Sequence, residues 1–265
     1  MRHYALLGET LRHSLSVPIH EMIFRETGFS ATYELIKIPR ADFSTQAKDV
    51  LSHLDGCNVT IPYKQEVMAL LHSVDETAGK IGAVNTISRH DGVLRGHNTD
   101  APGLAAMLLE NGLNPAGQVC FVLGTGGAAK AAVYTLNKLG AKQVLCVSRR
   151  TEENDPAVIS YQELDAMTKQ VTGLLINATP VGMWPRTEDC PLPADVIARF
   201  SGVADLIYNP PQTRLTEIAA QVGIPAVTGL HMLVEQAVKA QEIWQERPLP
   251  PELPPYLMKN LNLFT

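Results

Sequence analysis

Three short polar clusters in the first half of the chain hold side chains suited to gripping a small molecule and moving a proton on it. They are Ser14-Leu-Ser16, Asn58-Val-Thr60-Ile-Pro62-Tyr-Lys64, and Asn85-Thr86 with Asn98-Thr99-Asp100. Hydroxyls and carboxamides both donate and accept, which suits a small polyhydroxylated ligand. Lys64 adds a cation that can neutralise a carboxylate or move a proton. Taken singly, each cluster has a plainer explanation: Ser14 and Ser16 can cap a helix starting near Pro18, and Asn58 or Asn85 can stabilise a turn. Only their occurrence together with a nucleotide-binding pattern favours chemistry.

That pattern lies further along. An apolar run from Val119 to Leu123 leads straight into Gly124-Thr-Gly126-Gly127-Ala128-Ala129, followed by a helical pattern from Lys130 to Leu139. In G-x-G-x-x-[GA] of this strand-turn-helix setting, Gly124 permits the tight turn, Gly126 lets the backbone approach a pyrophosphate, and Ala129 permits close helix packing. The helix N-terminus, at Gly127 and Ala128, offers N–H groups and a partial positive charge to phosphates. The next strand closes with Ser148-Arg149-Arg150. No carboxylate stands there to accept from a ribose 2′-hydroxyl, and two guanidiniums suit a 2′-phosphate, so NADP is expected rather than NAD. Glu152 and Glu153 dilute that field, and a solvated basic strand end is the alternative reading.

The elements that must position these groups alternate. Strand patterns at Tyr4 to Leu7, Thr32 to Ile38 and Gly56 to Val59 are separated by helical patterns near Pro18 to Thr27 and Asp42 to Leu54. After a linker helix from Ala101 to Asn111, compact apolar runs recur at Val119 to Leu123, Gln143 to Val147, Gly173 to Asn177 and Gly202 to Tyr208. Such alternation is the signature of βαβ units and mainly parallel sheets. The predicted fold class is α/β with two domains: an N-terminal, mainly parallel α/β substrate domain (1–100 with 231–265) and an NAD(P)-binding Rossmann domain (101–230). A last helix runs from about His231 to Gln245, with Leu233, Ala237, Ala240 and Trp244 as its core stripe and Met232 also read as core. The proline-rich stretch Pro248 to Pro255 is expected to run extended over the surface.

With 265 residues, a net charge of −5 and no basic run, nucleic acid and anionic membranes are poor candidates for partners. Cys57, Cys120, Cys146 and Cys190 form no C-x-x-C pair, and the N-terminus lacks a signal-peptide core. A reduced, cytoplasmic protein, monomer or homodimer, is expected. No histidine spacing suggests a metal site, and His13 and His97 are read as solvated or loosely bonded.

The ordered motifs S-L-S, N-V-T-x-P-x-K, A-V-N-T, G-x-N-T-D, G-x-G-G-A, N-A-T-P-x-G-M and M-L-V-x-Q-A, spread over positions 8 to about 240, resemble the shikimate dehydrogenase family. The resemblance implies a reversible, NADPH-dependent reduction of 3-dehydroshikimate to shikimate in aromatic amino acid biosynthesis. It implies that Ser14, Ser16, Asn58, Thr60, Asn85, Asp100 and Gln236 hold the substrate, with Tyr208 near it, and that Lys64 and Asp100 form the catalytic pair. It places Asn177, Thr179 and Met183 on a loop beside the nicotinamide ribose and Gly229 at the nicotinamide. There are departures: Ser16 is followed by Val17-Pro18 rather than directly by proline, Ser148-Arg149-Arg150 replaces N-R-T, and Thr228 stands where an acidic residue is usual. A quinate/shikimate dehydrogenase preferring NAD, and a catalytically silent nucleotide-binding relative, are the competing readings.

Overall fold

The computed structural model describes residues 1–11, 14–149 and 157–261. The chain divides into two compact units, Met1–Asp100 with Val234–Thr265, and Ala101–Leu233.

The first unit begins β1 (Arg2–Gly8), α1 (Ser16–Thr27), β2 (Ala31–Lys37), α2 (Phe43–His53) and β3 (Gly56–Val59). It continues β4 (Ser73–Val74), α3 (Glu76–Ile81), β5 (Thr86–His90) and β6 (Val93–His97). The strands form one sheet in the order β2-β1-β3-β5-β6-β4, in which only β5 runs against its neighbours. Asp91 and Gly92 turn the β5–β6 hairpin, both with positive φ (47° and 79°), the geometry that a two-residue turn needs to match strand twist. One edge of the sheet therefore collects the carboxyl ends of β1, β3 and β6 and the amino end of the reversed β5. These are the places where Ser14-Ser16, Asn58-Lys64, Asn98-Asp100 and Asn85-Thr86 leave or enter the sheet.

Alternation along the strands gives the sheet two apolar faces. Ala5, Leu7, Cys57, Val59 and Ile87 face Phe43, Ala47 and Leu51 of α2. Tyr4, Leu6 and Tyr33 face Phe24 of α1 and, from the long helix Leu230–Gln245, Ala240 and Trp244. Each such large apolar side chain contributes about 1.5–3 kcal/mol by leaving water. The indole of Trp244 stacks on Tyr4 (4.4 Å between ring centroids), and its Nε1 donates to Ile87 O at 2.9 Å. It passes so close to Gly56 that a Cβ there would lie 2.6 Å from Nε1.

His20 lies fully buried on the same face, stacked on Tyr33 at 4.0 Å, with Nδ1 accepting from Gln241 Nε2 at 2.8 Å and Nε2 unpartnered. Burial pushes its imidazole down to about 3. The unfolded chain takes up a proton near the ordinary value of about 6.5, and the folded chain resists it down to the depressed value. Stability from this site is thus complete above the unfolded value and is lost as pH falls toward the folded one. Between about pH 7.5 and about pH 4.5, urea unfolding of the parent chain should lose about 2–3 kcal/mol more than that of His20→Phe. Equal losses in the two proteins would show that His20 does not titrate in this way.

The proline-rich stretch departs from expectation. Leu253–Asn260 is a helix with Pro254 and Pro255 in its first turn, where the missing N–H has no intrahelical partner to lose. The prolines begin a helix instead of forbidding one.

The second unit takes up the chain at Ala101, within α4 (Asp100–Glu110), and runs on through β7 (Val119–Leu123), α5 (Gly127–Lys138), β8 (Gln143–Val147), β9 (Val158–Ile159) and α6 (Tyr161–Thr168). It continues β10 (Gly173–Asn177), α7 (Ala194–Ile197), β11 (Gly202–Asp205), α8 (Arg214–Gln221) and β12 (Ala226–Thr228). All pairs in its sheet are parallel, in the order β12-β11-β10-β7-β8-β9, the doubly wound Rossmann arrangement with its switch point between β7 and β10. Met232 is buried in one of its cores beside Leu104, Met107 and Leu136. The fourth apolar run stops pairing at Asp205, short of the expected Tyr208, because the Ile207 N–H turns back to the Asp205 carboxylate at 3.1 Å.

Among the described residues, no helix is long and apolar enough to cross a membrane.

Candidate functional site

Lys64 is held from both sides of its turn. Tyr63, fully buried, stacks on Phe43 and donates to Ile38 O at 2.6 Å, while Lys64 O accepts from Val84 N at 2.7 Å. The side chain then meets Asp100: Nζ to Oδ2 is 2.6 Å, with 16% and 7% of the two side chains exposed. The other Asp100 oxygen accepts from Asn85 Nδ2 at 3.0 Å.

The orientation of the Asn85 amide is settled by chemistry. The backbone N–H of Thr99 can only donate, and it points at Asn85 Oδ1 from 2.7 Å, so Nδ2 must face Asp100. Thr99 Oγ1 (2.9 Å) also accepts from that nitrogen, and Gln236 Oε1 lies at 3.4 Å from it. Asn58 is similarly constrained: Oδ1 accepts from Tyr33 OH at 2.8 Å, and Nδ2 donates to Thr86 Oγ1 (2.9 Å) and Asn85 O (3.2 Å). Both its N–H groups are spent, which leaves it able only to accept from a ligand.

The structure thus joins Lys64, Asp100, Asn85, Asn58 and Gln236 in one hydrogen-bonded group. Thr60 stands beside it, half-buried, and among the described residues its hydroxyl and two of the three Lys64 N–H donors have no partner. Ser14 Oγ accepts from Ser16 N at 3.2 Å, but the N-cap of α1 is Leu15 and no side chain caps it, and Ser16 lies beside the Tyr33 hydroxyl. Tyr208 belongs to the second unit, half-buried beyond β11, where burial raises its phenol. Thr86 and Thr99, from the two N-T pairs, join the group, and so does Tyr33, which nothing in the sequence marks.

His97 is neither solvated nor loosely held. Its Nδ1 meets Asp75 Oδ2 and its Nε2 meets Ser88 Oγ, each at 3.0 Å. The order is that of a nucleophilic triad, yet Ser88 is only 5% exposed. The row therefore acts as a clamp just ahead of Asn98, whose amide is itself spent on Ala83 O at 2.9 Å. His13 lies outside the described residues.

In the second unit, Gly124 has φ 105°, and a Cβ there would lie 3.2 Å from Ala178 O and 3.3 Å from Thr179 Cγ2. Gly126 is the N-cap of α5, and a Cβ on it would meet nothing within 4 Å, so its backbone is open to close approach. The first helical bond from this end is Lys130 N to Gly126 O (2.9 Å), which leaves the N–H groups of Gly127, Ala128 and Ala129 without intrahelical partners. Ala129 is buried against the sheet, as the motif requires. These residues fit a dinucleotide pyrophosphate. Ser148 pairs through its N–H with Ile159 O at 3.0 Å, and Arg149 is exposed beyond β8. Arg150 lies outside the described residues. Asn177 is fully buried, Thr179 half-buried, Met183 44% exposed, and Gly229 is packed so tightly that a Cβ would lie 2.2 Å from Leu206 O.

Residues 6–87 match the family model described as the shikimate dehydrogenase substrate binding domain. The shikimate dehydrogenase (NADP(+)) of Clostridium beijerinckii is 39% identical over 250 residues, covering 93% of this chain and 93% of that protein. Shikimate dehydrogenase 1 from Peptoclostridium difficile has a similar structure, with a TM-score of 0.92 at 35% identity over 99% of this chain and 98% of that one. So does shikimate 5-dehydrogenase from Thermus thermophilus in complex with NADP(H) and shikimate, with a TM-score of 0.87 at 31% identity over 99% and 100% of the two chains. A likeness this long, in a chain that brings Lys64, Asp100 and Asn85 together and also carries a Rossmann unit, places the protein in the shikimate dehydrogenase family.

Proposed function

We propose that the protein catalyses the reversible reduction of 3-dehydroshikimate to shikimate with NADPH, its first unit holding the substrate and its second the dinucleotide. The observation that carries the reading is the Lys64–Asp100 pair at 2.6 Å, with the second carboxylate oxygen held by Asn85 at 3.0 Å. Bound NADPH supplies the hydride that adds to the carbonyl carbon. The carbonyl π pair then moves to oxygen, and a donor must meet the charge that grows there. Lys64 is that donor: its ammonium, kept in place by Asp100, turns an unpaired N–H to the oxygen and gives up the proton. Thr60, Asn58 and Gln236 offer the hydroxyl and amide groups that orient a polyhydroxylated ring. NADP is favoured because Arg149 is exposed at the end of β8, where an NAD site would hold a carboxylate. The cytoplasm suits four cysteines that are all free.

Shikimate and quinate, each offered with NADP+ and with NAD+, separate the readings by the rise of nicotinamide absorbance. Fastest turnover is expected with shikimate and NADP+. Turnover chiefly with quinate and NAD+ would favour the quinate/shikimate enzyme, and none with any pair would leave a nucleotide-binding module.

A further inference from the structure

We propose that Asp205 is a positioning residue for the dinucleotide, fixing the Asn177 amide and through it the loop that walls the glycine turn. The inference rests on the reading of the second unit as the NADP site.

Asn177 and Asp205 are register partners at the carboxyl ends of β10 and β11, and both are fully buried. A buried carboxamide has two orientations of similar shape, and its partners decide between them. Asp205 Oδ1 accepts from Asn177 Nδ2 at 3.0 Å and so braces the orientation in which Asn177 Oδ1 faces the loop. There it accepts from Thr179 N at 3.1 Å and from Thr179 Oγ1 at 2.7 Å. The chain of bonds runs on, with Val181 N donating to Thr179 Oγ1 at 3.3 Å and Asn177 Nδ2 reaching Val181 O at 3.3 Å. The segment folded back in this way, Ala178 and Thr179, is the one that stands against Gly124. A carboxylate out of reach of any ligand thus sets the shape of a surface that the pyrophosphate turn leans on.

The carboxylate has two separable duties. Oδ1 serves the loop, and Oδ2 accepts from Thr213 Oγ1 at 2.7 Å, the hydroxyl that also caps α8. Burial raises the Asp205 carboxyl to about 6 even with three donors facing it, and each of those donors needs only an acceptor oxygen in place. A carboxamide of the same shape can accept from Asn177 and Ile207 through its oxygen and donate to Thr213 through its nitrogen.

The test is fluorescence titration of the full-length chain with NADPH, read beside thermal melting and the KM for shikimate. Leaving the buried Asn177 N–H short of its acceptor should make Asp205→Ala bind NADPH about tenfold or more weakly. Asp205→Asn should return affinity to within about threefold of the parent, and the KM for shikimate should move little in either variant. Thr213→Val, which removes the other duty, should melt earlier yet keep its NADPH affinity. If the alanine variant does not fold, Thr179→Val cuts the same chain of bonds at its outer end and should weaken NADPH in the same direction. Parent-like binding by Asp205→Ala, or by Thr179→Val in its place, overturns the inference alone. Weakening by Thr213→Val equal to that of Asp205→Ala also overturns it, since the effect would then be one of general stability. A parent chain that does not bind NADPH overturns the cofactor reading and the inference with it.

Discussion

Lys64→Ala should lower kcat for shikimate oxidation by about 10²-fold or more while leaving NADPH affinity nearly intact. The ammonium is the one cation in the hydrogen-bonded group of the first unit, and its only partner among the described residues is Asp100. Its two remaining N–H bonds can therefore serve the oxygen whose charge changes during the reaction, an interaction stronger in the transition state than in the ground state. A loss in kcat is the mark of such a contact. Had Lys64 served only to neutralise a substrate carboxylate, KM would rise and kcat would hold. Near-normal turnover would remove Lys64 from the chemistry. Lys64→Arg should not restore the rate, because a planar fork with fixed donors cannot reproduce a compact ammonium whose three donors rotate freely. Folding should survive the alanine change, since Tyr63 and the Lys64 backbone, not the ammonium, anchor the turn.

Much of this site could be read in the residues, for physical reasons that differ from part to part. Val119–Leu123 and Gly173–Asn177 have the bounds expected of them because a strand buried on both faces is a compact apolar run, ended where glycine or a polar group takes over, and Gln143–Val147 keeps its expected bounds although it is only half-buried. Gly202 to Tyr208 has the same apolar look but overruns. Ile207 and Tyr208 are hydrophobic enough for a strand, yet a carboxylate two residues earlier captures the backbone N–H and ends the ladder. The β5–β6 hairpin has a local signal in Asp91-Gly92, a pair that tolerates the positive φ its turn requires.

Partners distant in sequence are a different matter. Tyr33 fixes Asn58 from 25 residues away, and Asp205 fixes Asn177 from 28. Motif spacing names groups that share a turn. Which strand lies opposite, and so which side chain reaches across, is set only when the sheet order is known. The proline-rich stretch erred for a simpler reason: a proline that breaks a helix in its interior is well placed in its first turn.

Asp100→Asn should cost about as much as losing Lys64, roughly 10²-fold in kcat, although the side chain keeps its size and shape. Oδ2 of Asp100 faces the Lys64 ammonium at 2.6 Å, and Oδ1 faces Asn85 Nδ2 at 3.0 Å. Both neighbours are donors there, the ammonium by nature and the amide because Thr99 N has fixed its orientation. An asparagine has one acceptor and one NH₂ at its tip, so either orientation sets a donor against a donor in a place that is only 5% exposed. Relief can come only by moving Lys64 or turning Asn85, and either motion misplaces a group on which the proposed chemistry depends. If the pair works as a unit, Lys64→Ala combined with Asp100→Asn should be little slower than either single variant, because once one member is lost the other has nothing left to orient. A combined loss near the product of the two, about 10⁴-fold, would mean that they act on the reaction independently. In that case the 2.6 Å contact would be an incidental ion pair and not the arrangement that drives the chemistry.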